Sequence, residues 1–333
     1  MTAGTRAPSA GAAEAAQLDQ IQVLLLCGGV GGAKLASGLA RVLDAGRLAV
    51  LTNTGDDFSH FGLQICPDLD TVLYTLAGVA DPERGWGRAG ESWRFMEATG
   101  QLGGDTWFNL GDTDLATHVL RTSLLAGGRT LSEVTAMLAG RLGVSQHILP
   151  MSDDPVSTMV DCSEGTLPFQ RYFVERRCDP VVQQIRFDGA GNAALNPAAQ
   201  ALLTSTSPPL VVIAPSNPYL SIDPVLALPG LRELLGSSEV RVIAVSPIVA
   251  GKAIKGPTSK IMRELELTPS VVSITKHYSP LIDALVIDDA DAAHVDAIEA
   301  LGVAPLVMPS VMREQADRDR LAASILEAAA ALR

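Results

Sequence analysis

Val23-Leu24-Leu25-Leu26-Cys27-Gly28-Gly29-Val30-Gly31-Gly32-Ala33-Lys34 decides the reading of this 333-residue chain. An apolar run short enough for one buried strand meets four glycines. From Ala33 to Leu43 the apolar residues then recur at helical spacing, which predicts strand, tight turn and helix. Glycines at such a turn let the backbone approach an anion, and the free amides of the helix N-terminus supply donors and partial positive charge. Gly28, Gly29, Gly31 and Gly32 are therefore candidate phosphate-binding residues, with Lys34 one turn into the helix as a catalytic candidate. The spacing matches neither the dinucleotide fingerprint, whose third glycine and following acid are absent, nor the Walker loop, because Lys34 has no glycine before it and no Ser or Thr after it. The competing reading is a glycine-rich turn that binds nothing.

Working outward, Leu48–Thr52 reads as a second strand opening into Gly55-Asp56-Asp57, and Cys66-Pro67-Asp68-Leu69-Asp70-Thr71 leads into a helix over Val72–Ala77. Carboxylates gathered past strand ends lie where open α/β sheets hold ligands. Asp68 or Asp70 alone could cap the helix. Several acids beside a phosphate site need a cation, and Mg²⁺, held by carboxylates together with substrate phosphates, is the expected one. All three tryptophans fall within residues 81–111, where a Gly- and Trp-rich lobe offers either ordinary core or a platform for a flat heterocycle. Asp112-Thr113-Asp114 opens a helix to about Ala126, with Asp114, His118 and Arg121 on one face. A second helix covers Leu131–Leu142, and a strand ends at Pro150.

Alternating β-branched segments at Ser157–Cys162, Phe169–Cys178 and Val181–Phe187 predict an antiparallel insertion. Strands are then expected at Leu210–Ala214, Val240–Val245, Ala284–Ile287 and Pro305–Met308, with a closing helix at Ala316–Leu332. Three of the five lysines, Lys252, Lys255 and Lys260, share one short segment. The whole reads as an α/β Rossmann-like three-layer parallel sheet with an antiparallel β insertion and a Trp/Gly-rich helical lobe. One domain is expected over residues 21–333, after an Ala- and Gly-rich tail of residues 1–20. Within it a lobe spans about 67–150 and the β-rich segment about 157–188.

A hydrophobic content of 47% supports a proper core, while the net charge of -12 opposes general binding to nucleic acid or anionic membranes. No run approaches the roughly 20 apolar residues of a membrane span, and no signal-peptide core precedes the first strand. Four scattered cysteines without zinc spacing suit reduced thiols in a cytoplasmic protein. The parts suit phosphoryl-type transfer, in which the protein neutralises charge and aligns reactants, here with Lys34, Lys252 and Lys255 on the phosphates.

The runs Gly28–Lys34, Pro67–Thr71, Gly85-Trp86-Gly87, Leu110-Gly111-Asp112, Asp114–His118, Leu149–Pro155, Pro215–Pro218, Ser246-Pro247-Ile248 and Gly256-Pro257 occur in order along the chain. Together they resemble the 2-phospho-L-lactate transferase family of deazaflavin coenzyme biosynthesis. The resemblance implies a Rossmann-like, Mg²⁺-using homodimer. Such an enzyme moves a phosphorylated three-carbon acid from a guanosine diphosphate-linked donor to 7,8-didemethyl-8-hydroxy-5-deazariboflavin, with release of GMP, in coenzyme F-420 biosynthesis. It further implies deazaflavin contacts at Asp70 and Asn109 and donor contacts at Ser216, Asn217, Lys252 and Lys255. Asp57, Asp68 and Asp70 become the candidates for metal ligand or base, with Asp70 and Asp57 joining Lys34 as catalytic candidates. The glycine loop is also similar to that of the gluconeogenesis-factor family, whose members would be nucleotide-sugar-binding regulators; the Trp-rich lobe and Pro67–Thr71 argue against it. An NAD-dependent oxidoreductase is the third reading.

Overall fold

The computed structural model describes residues 20–332, so the tail expected over residues 1–20 lies, apart from Gln20, outside the described residues. β1 (Val23–Cys27) and β2 (Leu48–Thr52) are buried along their whole length. Alternate residues of β1 feed two cores: Val23, Leu25 and Cys27 pack on one face of the sheet, Leu24 and Leu26 on the other. Such burial on both faces explains why the strands read as continuous apolar runs. β3 (Phe58–His60) and β4 (Leu63–Ile65) form a small hairpin, followed by β5 (His147–Pro150). β6 (Ser157–Cys162), β7 (Gly165–Pro168) and β8 (Val182–Asp188) make the antiparallel insertion. β9 (Leu210–Ile213), β10 (Val242–Val245), the short hairpin of β11 (Ile248–Val249) and β12 (Lys252–Ala253), then β13 (Ala284–Ile287) and β14 (Ala304–Val307) complete the strands.

Seven of these form one parallel sheet in the order β14-β13-β10-β9-β1-β2-β5. The chain builds outward from β1 through β2 to β5, then returns to the other side of β1 with β9. The order therefore reverses between β1 and β9, and ligands of such sheets bind in the crevice at that reversal. On the face of Leu25, helices α1 (Gly29–Val42), α2 (Pro67–Leu76) and, further along, α5 (Leu131–Arg141) pack with the closing helix Gln315–Ala331; α3 (Arg94–Gln101) and α4 (Asp112–Ala126) build the lobe beside them. The insertion covers the opposite face through Val160, Phe169, Tyr172 and Val182. The three-layer α/β class thus stands as expected.

Two local expectations are corrected. α1 starts at Gly29 rather than near Ala33, so Gly29, Gly31 and Gly32 lie inside the first helical turn and Gly28 is the extended residue that caps it. Gly31 is needed there for close approach, since a Cβ would stand 2.6 Å from the Pro215 carbonyl oxygen. Gly31→Ala is expected to cost ~1–3 kcal/mol by overpacking, read as a lower melting temperature; an unchanged melt would mean that the Pro215 loop yields freely. The segment Phe169–Cys178 is not a strand: Arg171–Glu175 forms one π-helical turn, and Arg177 and Cys178 take left-handed φ of 52° and 58°, which no strand accommodates. The run Tyr172-Phe173-Val174 has high strand propensity, yet Tyr172 is buried beneath it and Phe169 stacks on Phe173 one turn away at 5.2 Å. Packing overrides propensity here.

Candidate active site

A cavity of about 610 Å³ lies at the sheet reversal, walled by the start of α1, the loops after β2, β9 and β10, the lobe and the insertion. Gly28, Gly29, Gly31 and Lys34 are on its wall, but their amides have divided duties. Gly28 N–H donates to Ser216 Oγ (3.2 Å), whose hydroxyl in turn donates to the Gly28 carbonyl (2.6 Å). Gly29 N–H donates to Asp68 Oδ1 (2.7 Å). Among the described residues, no side chain takes the N–H groups of Val30 and Gly31, so these are the first-turn donors left for an anion. Gly32 is a correction: it sits behind the cavity wall against Cys27 Sγ and Ser216 Oγ, where its lack of a side chain serves helix-to-strand packing. Lys34 anchors its ammonium on the Met312 carbonyl (2.9 Å); burial and then the charges of Arg318 and Lys255 depress its pKa.

The acids also rearrange. Asp56, not Asp57, reaches the cavity, because consecutive residues of the Gly55–Asp57 turn point apart. Asp57 is bonded to Cys66, and burial pushes its carboxyl up. Asp56 is buried, its Oδ1 has no partner among the described residues, and burial followed by the neighbouring Asp68 charge raises its carboxyl well above the usual range. Asp68 also accepts from Asn53 Nδ2 (3.0 Å), yet burial still raises it to about 6. Two neighbouring buried acids on one cavity wall, one with an unsatisfied oxygen, form a donor set suited to a divalent cation.

Asp70 lines the cavity but is already clamped. Fully buried Arg121 donates to both its oxygens, through Nη1 at 3.1 Å and through a short Nη2 contact. His118 stands between two acids, its Nδ1 3.7 Å from Asp70 and its Nε2 3.3 Å from Asp114. Tyr74 completes the chain by donating to Asp114 Oδ1 at 2.5 Å. Burial alone would raise Asp114, but bonds from His118 and Tyr74 bring it below the ordinary value. Asp70, Asp114 and His118 form the one compact set of three potential metal-binding side chains among the described residues, although Arg121 occupies the Asp70 oxygens.

Lys255 lies on the wall and reaches across to Gly85, where an added Cβ would be 2.6 Å from its ammonium. Lys252 does not line the cavity: it is exposed on the β11–β12 hairpin, turned outward by strand alternation. Lys260 is bound to Glu264 (2.6 Å) and the Pro180 carbonyl (3.0 Å). Asn217 uses its Oδ1 to cap the following turn, accepting from Tyr219 and Leu220, which leaves its buried Nδ2 without a partner on the cavity side. Asn109 lines the aromatic end with Trp107 and Phe108, and Trp86 stands at the rim. Phe169, Gln170 and Phe173 of the insertion form the facing wall, and the Arg171 guanidinium lies 4.2 Å over the Trp107 ring. Ser221, Ser310 and these insertion residues were missed in the sequence; the four-residue spacing of Phe169 and Phe173 was the available signal for the latter.

A family model described as 2-phospho-L-lactate transferase CofD matches residues 23–315. The chain is 38% identical to a phosphoenolpyruvate transferase of Streptomyces griseus, over 94% of this chain and 100% of that protein. It is 39% identical to a 2-phospho-L-lactate transferase of Methanosarcina acetivorans, over 84% of this chain and 90% of the relative. A solved structure of a UPF0052 family member from Bacillus halodurans superposes with a TM-score of 0.61 at 14% identity, covering 92% of this chain and 99% of that one, a likeness of fold. No helix among the described residues is long and apolar enough to cross a membrane.

Proposed function

Because the chain belongs to the 2-phospho-L-lactate transferase CofD family, we propose that it moves a phosphorylated three-carbon acid from a guanosine diphosphate-linked donor to the ribityl hydroxyl of 7,8-didemethyl-8-hydroxy-5-deazariboflavin, with release of GMP, in coenzyme F-420 biosynthesis. The observation that carries this reading is a single cavity with a cationic, amide-lined end and an aromatic end, joined by buried acids. The donor diphosphate belongs at the Val30 and Gly31 amides between Lys34 and Lys255, with Asn217 Nδ2 as a further donor group. The acceptor ring belongs between Trp107 and Phe108 on one wall and Phe169 and Phe173 on the other, with Asn109 as its polar contact.

Asp56 and Asp68 would hold Mg²⁺, replacing the pairing of Asp57 with Asp68 and Asp70 expected from sequence. When bound, that ion supplies positive charge against the donor diphosphate. The acceptor hydroxyl oxygen attacks the phosphorus bearing the acid and gives up its proton to Asp70, the bond from that phosphorus to the GMP phosphate oxygen breaks, and GMP leaves. Lys34 and Lys255 stabilise the charge gathering on the leaving phosphate. The side chains of Asp70, Asp114 and His118 line the wall at the acceptor end, and the Arg121 pair fixes Asp70 in place.

Relatives similar at 38% and 39% divide between phosphoenolpyruvate and 2-phospho-L-lactate transferases, so the acid is decided at the product. Purified protein incubated with the deazaflavin, Mg²⁺ and each synthetic donor in turn, including the 3-phosphoglycerate one, is expected to give one dominant product mass and stoichiometric GMP. GMP formation without a new deazaflavin species would contradict the transfer.

A further inference from the structure

A second cavity, about 540 Å³, opens on the other flank of α1. It shares Val30, Lys34, Thr71 and the Trp86-Gly87 turn with the first cavity, while Ser37, Asp81, Gln146, Gln315 and Arg318 belong to it alone. Lys34, Arg41 and Arg318 all line it, in a chain whose net charge is -12. The carboxylate on the same wall, Asp81, is neutralised by Arg84 at 2.9 Å. Arg41 turns to Asp319 at the exposed rim (2.9 Å), so Arg318 and Lys34 are the cations of the interior. Crowding between them is one reason the Lys34 pKa is depressed, after burial.

Arg318 is held with one edge free. Gln315 Oε1 accepts from Ser37 Oγ on α1 and from Arg318 Nη1, both at 3.1 Å, which ties the closing helix to α1. The Arg318 Nε is buried and has no acceptor among the described residues. A buried charged donor without a partner is costly, and the open Nε–Nη2 edge of a guanidinium has the geometry of a two-oxygen anion. Ser37 and Gln146 add polar groups on the same wall.

We propose that this second cavity binds a phosphate monoester or free phosphate, received by the open edge of Arg318 and by Lys34. Because Lys34 also borders the first cavity, an anion here competes for its charge with an anion there, so the two sites are coupled. Phosphate binding is read directly, so this inference can fail while the transfer reaction stands, and the reverse.

The test is calorimetric titration of inorganic phosphate into the full-length protein and into Arg318→Gln, Ser37→Glu and Lys255→Gln, each checked by thermal melting. Arg318→Gln is expected to weaken phosphate binding by about tenfold or more, as loss of a charge-assisted pair does. Ser37→Glu, which sets a carboxylate in the same cavity, is expected to abolish it, and decides the matter if Arg318→Gln does not fold. Lys255→Gln, whose ammonium lines the first cavity and only approaches the second beside Gly85, is expected to weaken it far less than Arg318→Gln does. A parallel titration with GMP separates the sources: two GMP sites, one of them lost in Arg318→Gln, mark a mononucleotide site, and one site untouched by that change marks free phosphate. The proposal is overturned if the wild-type protein binds no phosphate, or if folded Arg318→Gln and Ser37→Glu bind it as the wild type does. Binding lost in Lys255→Gln alone likewise overturns it.

Discussion

Asp56→Asn is expected to lose transfer activity by about a hundredfold or more while making the protein more stable at neutral pH. Both effects have one cause. Asp56 and Asp68 are neighbouring buried acids: burial raises both carboxyls, Asp68 to about 6, and the Asp68 charge raises Asp56 further. An acid whose folded pKa lies above its unfolded value of about 4 binds more protons in the folded state between those values, so stability falls as pH rises from about 4 through about 6 and is level above. Removing one charge of the pair relieves on the order of 1–3 kcal/mol at pH 7. Mg²⁺ offsets the same repulsion, and is expected to raise the melting temperature of the wild type at pH 7.5 more than at pH 5, and hardly to move that of the variant. A variant less stable than wild type at pH 7.5, or still stabilised by Mg²⁺, would remove Asp56 from the cation site.

The second large effect concerns Asp70. Were it a free carboxylate, Asp70→Ala would stop transfer and leave the fold intact. Its pairing with fully buried Arg121 changes that expectation, because the substitution strands a guanidinium away from water. Breaking a buried pair from one side costs ~3–5 kcal/mol. Asp70→Ala is therefore expected to unfold at far lower denaturant concentration, and Asp70→Ala combined with Arg121→Met to recover most of the loss without recovering activity. If the single variant melted like wild type, Arg121 would have to find another partner, and the Gln64 carbonyl at 3.3 Å is the nearest candidate.

The parallel sheet was legible because strands buried on both faces carry unbroken apolar runs and each ends in its own turn signal; Leu48–Thr52 and Ala284–Ile287 match residue for residue. The cleft was legible because acids and glycines cluster just past those ends. The choice between Asp56 and Asp57 was not, since neighbours in a turn have no period to tell inward from outward. Lys252 and Lys255 stand three residues apart on a hairpin and its exit, and the sequence does not show which faces the cavity. The aromatic wall of the insertion was hidden because Tyr172-Phe173-Val174 has the composition of a strand, while its contacts with distant residues make it a turn of helix.

The most direct measurement is a crystal structure of the protein with guanosine diphosphate and Mg²⁺. The diphosphate is expected over the Val30 and Gly31 amides, between Lys34 and Lys255, with the ion on Asp56 and Asp68. Nucleotide bound away from the reversal between β1 and β9, or a cation held by Asp70, Asp114 and His118 with Asp56 untouched, would contradict the assignment of this cleft as the transferase site.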